Sequence, residues 1–421
     1  MKYVIIGNSA AGIGAVEGIR QIDKQGEITI ITNETHHTYS RPLISYLLLG
    51  KATEEKMKYR ADNFYSDNNV TLLSGVTVIK IDAEKKQLAL SNGGNIPYDK
   101  LLVAAGSSPF VPPFEGLSTV KEQVTFMSLD DAHKLDEIIS NKSNAKVLII
   151  GAGLIGLKCA EGISKRVSRI TIVDLAPRIL SSILDEESAT LVKAHIESIS
   201  PNIEFKLASS VKKFEGNTAV FENNETVSFD ALVLAVGVRP NTSLLKDIAG
   251  IERGIAVNGK SETTAKDIYA AGDCTQTMDI SSGQNKIMAL LPNAYIQGEC
   301  AGINMASAVQ VSETPACEKS FDKAIPMNAI GFFGLHIITA GNYSGETYTK
   351  NEKNNYKKLF YSENRLNGYI LIGDIDKAGI YTSLIRERTP LDQIDFALVC
   401  EKPGLMAFTK EDRTAKLSGV K

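Results

Sequence analysis

Cysteine is scarce in this chain. Cys159, Cys274, Cys300, Cys317 and Cys400 are scattered through 421 residues, with no CxxC pair and no His/Cys spacing suited to a metal. No metal site is therefore expected, and the thiols read as small residues of a reducing cytoplasm. Charge of one sign is not in excess either. The net charge is −3 with 23 % charged residues and no long like-charge run, which argues against a nucleic-acid partner or a charged tail. Long hydrophobic runs are missing: none reaches the roughly 18 residues that would predict a membrane span. The opening MKYVIIGNSAAG goes straight into an apolar strand and a glycine turn, leaving no room for a signal peptide, so a cytoplasmic protein is expected. There is no low-complexity segment, no long linker, and no Ser/His/Asp constellation. Core-forming material is plentiful, at 43 % hydrophobic residues. The length predicts about two to four domains.

Two segments share one design. Lys2–Ile6 is an apolar run that meets Gly7, a small-residue turn and a helix-like stretch over 13–22. Lys146–Ile150 repeats it, meeting Gly151, a glycine turn and a helix-like stretch from 154 to about 165. Each is followed by a second apolar run, EITIIT and RITIVD. A strand buried on both faces reads as a continuous apolar run, so both segments predict βαβ units on parallel sheets. YDKLLVAAG has a counterpart in FDALVLAVG, which carries the repeat to the ends of the units. Between the two, residues 70–90 read as short strands and SNGGN as a tight hairpin turn. From about 315 the pattern changes to that of a separate α+β domain.

In such a unit the first strand ends in a turn whose glycines let backbone amides approach a pyrophosphate, and the following helix N-terminus adds favourable charge. Gly151, Gly153 and Gly156, with Leu154 and Ile155 between them, complete a GxGxxG pattern in the strand–turn–helix context. Asp174 ends the next strand. A carboxylate there accepts both adenosine ribose hydroxyls and repels a 2′-phosphate, which favours NADH over NADPH. The first turn runs Gly7, Asn8, Ser9, Ala10, Ala11, Gly12, with serine where the second glycine is usual. Its ribose acid would be Glu34, with Asn33 as the fallback.

The ordered series GNSAAG, HTYSRPLIS, YDKLLVAAGSSP, GAGLIGLKCAE, AVGVRPN and DIYAAGDC resembles the pyridine nucleotide-disulfide oxidoreductase superfamily over about 1–310. Within it the chain is most similar to rubredoxin reductases, oxygenase-coupled ferredoxin reductases and the flavin part of nitrite reductases. FAD subunits of some anaerobic complexes look similar. NAIGFFG and LIGDIDKAG resemble the small interface domain of the same group. The resemblance implies an α/β fold of two Rossmann-like domains, one interrupted by the other, plus a C-terminal α+β domain. Residues 1–112 and 240–316 would form the FAD domain, 113–239 the NAD domain and 317–421 the interface domain. It implies that Asp273, beside Gly272, bonds the FAD ribityl chain, and that Arg41 and Pro42 lie by the pyrophosphate. Val78 would offer a backbone contact to adenine, Ala105 and Gly106 would line the flavin, and Gly237 would touch the nicotinamide dinucleotide. Leu291 and Asn293 would open a helix aimed at the flavin pyrimidine.

Two departures matter. No cysteine precedes Cys159, whereas the thiol-dependent relatives place one near the flavin, so a relay to disulfide or peroxide is not expected. Ferredoxin reductase relatives carry lysine at the position of Tyr46 and glutamate at that of Lys158. Here the cation stands on the other partner, which makes Lys158 the candidate catalytic cation near flavin N5, or else a solvated helix lysine. His36 and His37 read as loop residues. The expected activity is NADH-dependent reduction of FAD, followed by single-electron delivery to a rubredoxin-like iron–sulfur protein. The rivals are an NADH oxidase reducing dioxygen and an electron-transfer subunit of a larger complex. A homodimer is implied by the resemblance alone.

Overall fold

The computed structural model describes residues 1–308, 318–352 and 355–418. Cys317 and the expected boundary beside it lie outside these. By packing, the chain divides into two compact units. One comprises Met1–Leu175, Asn202–Met278 and Asn285–Asp322; the other comprises Ala176–Pro201, Asp279–Gln284 and Lys323–Lys421.

The first unit contains two five-stranded sheets of the same plan. In one, Val70–Leu73, Glu27–Ile31, Lys2–Ile6, Lys100–Val103 and Ile268–Ala270 lie side by side, all parallel. In the other the order is Ile203–Lys206, Arg169–Val173, Lys146–Ile150, Ala231–Leu234 and Gln123–Thr125, again all parallel. The central strands are buried throughout after their first residue, as parallel strands covered on both faces must be. Each sheet carries an antiparallel three-stranded companion, and SNGGN turns between Gln87–Leu90 and Asn95–Pro97. The last strand of the first sheet, Ile268–Ala270, comes from beyond the second sheet. The first Rossmann-like domain is thus interrupted by the other. Ser107–Pro109 and Val238–Pro240 pair antiparallel where the chain passes between them.

The second unit is built on a five-stranded antiparallel sheet: Met327–Phe332, Leu335–Gly341, Arg365–Ile372, Asn355–Ser362 and Glu346–Glu352, in that order. Helix Ala378–Arg386 buries Tyr381, Leu384 and Ile385 in its core. This unit also takes helix Glu186–Ile199. Asp185 caps that helix and pairs with Lys358 at 2.6 Å, and Tyr356 donates to Glu187 at 2.9 Å. Among the described residues no helix is long and apolar enough to cross a membrane.

Candidate nucleotide and electron-transfer site

The two glycine turns are built alike. Gly7 has φ +115°, and a Cβ on it would stand 2.1 Å from the Ala104 carbonyl oxygen; Gly151 has φ +116° and the same conflict with Ala235 at 2.2 Å. A Cβ on Gly12 or Gly156 would fall 2.1 or 2.0 Å from the carbonyl oxygen of Gly7 or Gly151. These four positions therefore require glycine for backbone packing alone. Gly153 differs, because a Cβ there meets nothing within 4 Å. Ser9 occupies the matching place at the N-cap of helix Ala10–Ile22, as Gly153 does for helix Leu154–Ile163. The outward opening at Gly153 is of a kind that accommodates a serine side chain in the matching place.

Around the first turn, a pocket is lined by Asn8, Ser9, Thr32, Glu34, His36, His37, Thr38, Tyr39 and Arg41. Glu34 is ion-paired with Arg41, whose Nη1 also donates to the Tyr39 hydroxyl (3.2 Å) and the Met127 carbonyl (3.3 Å). Asn33 is exposed at the rim, Pro42 is exposed in the turn Arg41–Leu43, and Val78 is buried at the start of Val78–Asp82. Two buried polar atoms of the pocket, His37 Nε2 and Thr38 Oγ1, have no partner among the described residues.

Helix Leu291–Ser307 is held against helix Ala10–Ile22 by small residues. A Cβ on Gly298 would lie 2.0 Å from the Ala11 carbonyl oxygen, and one on Gly14 would lie 2.3 Å from that of Tyr295. Arg60 clamps Glu17 with two bonds (2.7 and 3.0 Å), and the Tyr295 hydroxyl donates to the same carboxylate. The helix opening at Leu291, Pro292 and Asn293 is thereby fixed relative to the first turn. Gln297, which sequence reasoning missed, accepts from the Gly272 amide at 2.8 Å and the Thr275 hydroxyl at 3.0 Å. It holds the turn that presents Asp273. Burial pushes the Asp273 carboxyl above its ordinary range, against the pull of Arg41. Ala105 and Gly106 are tied to Asn241 through their carbonyls, at 2.8 and 3.0 Å. Gly237 (φ +110°) holds the matching place in the second half.

At the second turn, the Ala152 amide donates to the Asp174 carboxylate at 2.7 Å, so the acid predicted for the ribose stands against the glycine turn. Lys158 pairs with buried Glu161, one helical turn on, and its Nζ lies 4.2 Å from the centre of the Tyr46 ring. Behind this contact a Cβ on Gly162 would meet the Ser45 carbonyl oxygen at 2.9 Å, so the short helix Ile44–Leu48 is seated closely on helix Leu154–Ile163. Cys159, Cys274, Cys300 and Cys400 are all buried, and burial pushes every thiol up, Cys274 to about 12 and Cys400 to about 11. Among the described residues no cluster of His, Cys, Asp or Glu could hold a metal ion.

Two repeated glycine turns, each leading from a parallel strand into a helix, define an α/β protein built on two dinucleotide-binding folds. Residues 1–298 match the pyridine nucleotide-disulphide oxidoreductase family, to which the chain belongs, and 326–389 match the rubredoxin NAD+ reductase C-terminal domain. The chain is 32 % identical over 403 residues to the NADH-dependent phenylglyoxylate dehydrogenase subunit epsilon of Aromatoleum evansii, covering 93 % of this chain and 92 % of the relative. It is 26 % identical over 379 residues to the NADH-rubredoxin oxidoreductase of Clostridium acetobutylicum, covering 89 % and 91 %. The reductase in the crystal structure of the covalent putidaredoxin reductase–putidaredoxin complex shares the fold, with TM-score 0.86, 20 % identity and 99 % of each chain covered. The protein is an NADH-dependent flavin oxidoreductase with FAD and NADH as its cofactors. The residues fit both groups: the cradle at Gly153 is open, and the pocket at the first turn offers unpartnered polar atoms.

Proposed function

We infer that this chain takes electrons from NADH and delivers them one at a time to an iron–sulfur protein, either a small rubredoxin-like carrier or a partner subunit of a larger oxidoreductase. The observation that carries the NADH-to-flavin half of this reading is the Tyr46–Lys158 contact, where a segment of the first nucleotide half meets the first helix of the second in one compact unit. The acceptor half rests on the likeness to an NADH-rubredoxin oxidoreductase and to a phenylglyoxylate dehydrogenase subunit. FAD, when bound, supplies hydride acceptance and stepwise electron release. The chain's own residues bind and orient. Amides of Gly151–Gly156 and the helix behind them suit the NADH pyrophosphate, and Asp174 suits its ribose hydroxyls. On the flavin side, Arg41 and the Ser9 turn suit the FAD pyrophosphate, Asp273 the ribityl hydroxyls, and the opening of helix Leu291–Ser307 the negative charge of the reduced ring. Lys158 adds a cation on the nicotinamide side. The described thiols are buried and neutral, which favours a protein acceptor over disulfide or peroxide. They also suit a reducing cytoplasm, and the resemblance to relatives that pair through the C-terminal domain supports a homodimer.

Anaerobic stopped-flow mixing of the purified flavoprotein with NADH and with NADPH, then with rubredoxin, tests this. Fast bleaching by NADH with reoxidation by rubredoxin is expected. Bleaching without transfer would direct the search to a partner subunit, which co-purification with a metalloprotein would identify. Rapid aerobic NADH consumption with no added protein would make it an oxidase, and no bleaching by either nucleotide would overturn the reading.

A further inference from the structure

The loop that follows strand Glu27–Ile31 places His37 and Thr38 on the pocket at the mouth of the first glycine turn. Thr38 is 2 % exposed and its hydroxyl has no partner among the described residues, nor has His37 Nε2. A buried polar atom left unpaired costs on the order of 1–3 kcal/mol, so two of them at one pocket mark groups that a ligand satisfies.

The bonding of the ring decides what it can meet. His37 Nδ1 lies 3.1 Å from the Thr38 carbonyl oxygen, which only accepts, so Nδ1 carries the hydrogen. In the neutral ring Nε2 is then a bare lone pair, which an anionic oxygen repels; with a second proton it becomes a charged donor. The titratable groups around it are Glu34, His36, Tyr39 and Arg41 on its own loop, and Asp62 and Tyr65 from the segment packed against it. Each has another partner. Glu34 pairs with Arg41, His36 with Asp130 at 2.7 Å and Asp62 with Lys58 at 2.6 Å, while the Tyr65 hydroxyl donates to Asn8 at 3.0 Å. None of these carboxylates bonds Nε2; Asp62 attracts a charge on the ring only through space, so the direct partner of a charged Nε2 is left to the ligand.

We propose that His37, as the imidazolium, bonds a pyrophosphate oxygen of FAD, with Thr38 bonding the same segment, so that flavin binding takes up a proton. The proposal rests on the reading of the first turn as the flavin site. A ring held protonated by its ligand contributes affinity in full below its ligand-free value, and that affinity is lost as pH rises through the bound value. FAD is thus retained more tightly in mild acid than in mild base.

The test dilutes holoprotein at pH values from about 5.5 to about 8.5, either side of the ordinary histidine value, and reads released FAD by its recovered fluorescence. The dissociation constant of the unaltered protein is expected to rise about tenfold across that range, the size of one charge-assisted hydrogen bond. His37→Asn keeps a donor at the Nδ1 position and removes Nε2; it is expected to bind weakly throughout, with no slope. His37→Gln, which restores a neutral donor near the Nε2 position, is expected to recover affinity without recovering the slope. Thr38→Val should weaken binding about three- to tenfold at every pH and keep the slope. A flat profile in the unaltered protein, or the same slope in His37→Asn, overturns the proposal. A protein that carries no flavin at any pH overturns the underlying reading and the proposal with it.

Discussion

Lys158 stands with its Nζ 4.2 Å from the centre of the Tyr46 ring while pairing with Glu161 on its own helix. The lysine side chain is 16 % exposed and the glutamate 6 %, so the pair is largely withdrawn from water. Removing one partner of such a pair disturbs a largely buried charge, at a cost of up to about 3–5 kcal/mol. Single substitutions of Lys158 would therefore confound the role proposed for it near the flavin with this structural one.

The first prediction separates them. Lys158→Met is expected to lower thermal stability and to slow anaerobic flavin reduction by NADH about tenfold, a loss of about 1.4 kcal/mol in the barrier. It should also shift the flavin midpoint potential downward, because a nearby cation favours the reduced, anionic ring. The double variant Lys158→Met/Glu161→Gln should recover stability and leave the slow reduction and the low potential in place. A double variant that reduces as fast as the unaltered protein would confine Lys158 to a structural role.

The glycine turns give a second prediction with opposite readouts at neighbouring positions. Gly156→Ala forces a Cβ to 2.0 Å from the Gly151 carbonyl oxygen and should destabilise the fold by about 2–4 kcal/mol in chemical denaturation. Gly153→Ala places its methyl in open space and should leave stability unchanged while raising the KM for NADH. Equal melting temperatures for the two variants would contradict this account.

Much of the fold was legible because the sequence of each strand, turn and helix is contiguous. Lys2–Ile6 with Gly7 and Lys146–Ile150 with Gly151 reveal their environment within a dozen residues, since a doubly covered strand must be apolar and a close turn must be glycine. Partnerships across long separations were not legible. Gln297 reaches Gly272 over 25 positions, and nothing near either residue announces it. Helix Glu186–Ile199 lies in sequence between two strands of the second parallel sheet, yet it groups with the C-terminal unit through Asp185 and Glu187. His37 reads as a loop residue until Nδ1 is seen bonded and Nε2 bare. Even Lys158, singled out by its departure from relatives, gave no sign that Glu161 shares its charge, because an (i, i+3) pair means one thing on an exposed face and another when buried.

A third prediction concerns nucleotide choice. Asp174 accepts the Ala152 amide at 2.7 Å and stands at the end of its strand, where adenosine ribose hydroxyls are bound in such folds. Asp174→Asn keeps the acceptor for the amide and removes the charge. It is expected to lower kcat/KM for NADH about tenfold and to raise that for NADPH, the size of one charge-assisted hydrogen bond lost and one repulsion relieved. An unchanged ratio of the two values would mean that another residue discriminates between the cofactors.

Gln297 gives a fourth. Its Oε1 holds the Gly272 amide and the Thr275 hydroxyl on either side of Asp273, and the residue is 3 % exposed. Gln297→Leu fills similar volume but strands the Gly272 amide, at a cost of about 1–3 kcal/mol of stability, while the Thr275 hydroxyl keeps the Gly272 carbonyl at 2.8 Å. Because the stranded amide adjoins Asp273, the loss should extend to flavin retention, seen as a larger free-FAD fraction after gel filtration. Gln297→Glu retains an acceptor and should hold flavin better than the leucine variant.

The acid limb of stability turns on Asp267, which heads strand Ile268–Ala270 and receives both Lys86 and Lys100 at 2.6 Å. Burial pulls its carboxyl upward, but the bonds from Lys100 and Lys86 outweigh burial and hold it below the ordinary range. A carboxyl depressed in the folded state stabilises fully above its unfolded value of about 3.9, and that contribution disappears as pH falls through the folded value. Asp267→Asn should therefore be less stable than the unaltered protein by about 2 kcal/mol at neutral pH, with the gap narrowing below about pH 4. Urea unfolding of both proteins at neutral pH and near pH 3 measures it. A gap that stays constant would assign the effect to hydrogen-bond geometry, since only the charge is lost on protonation.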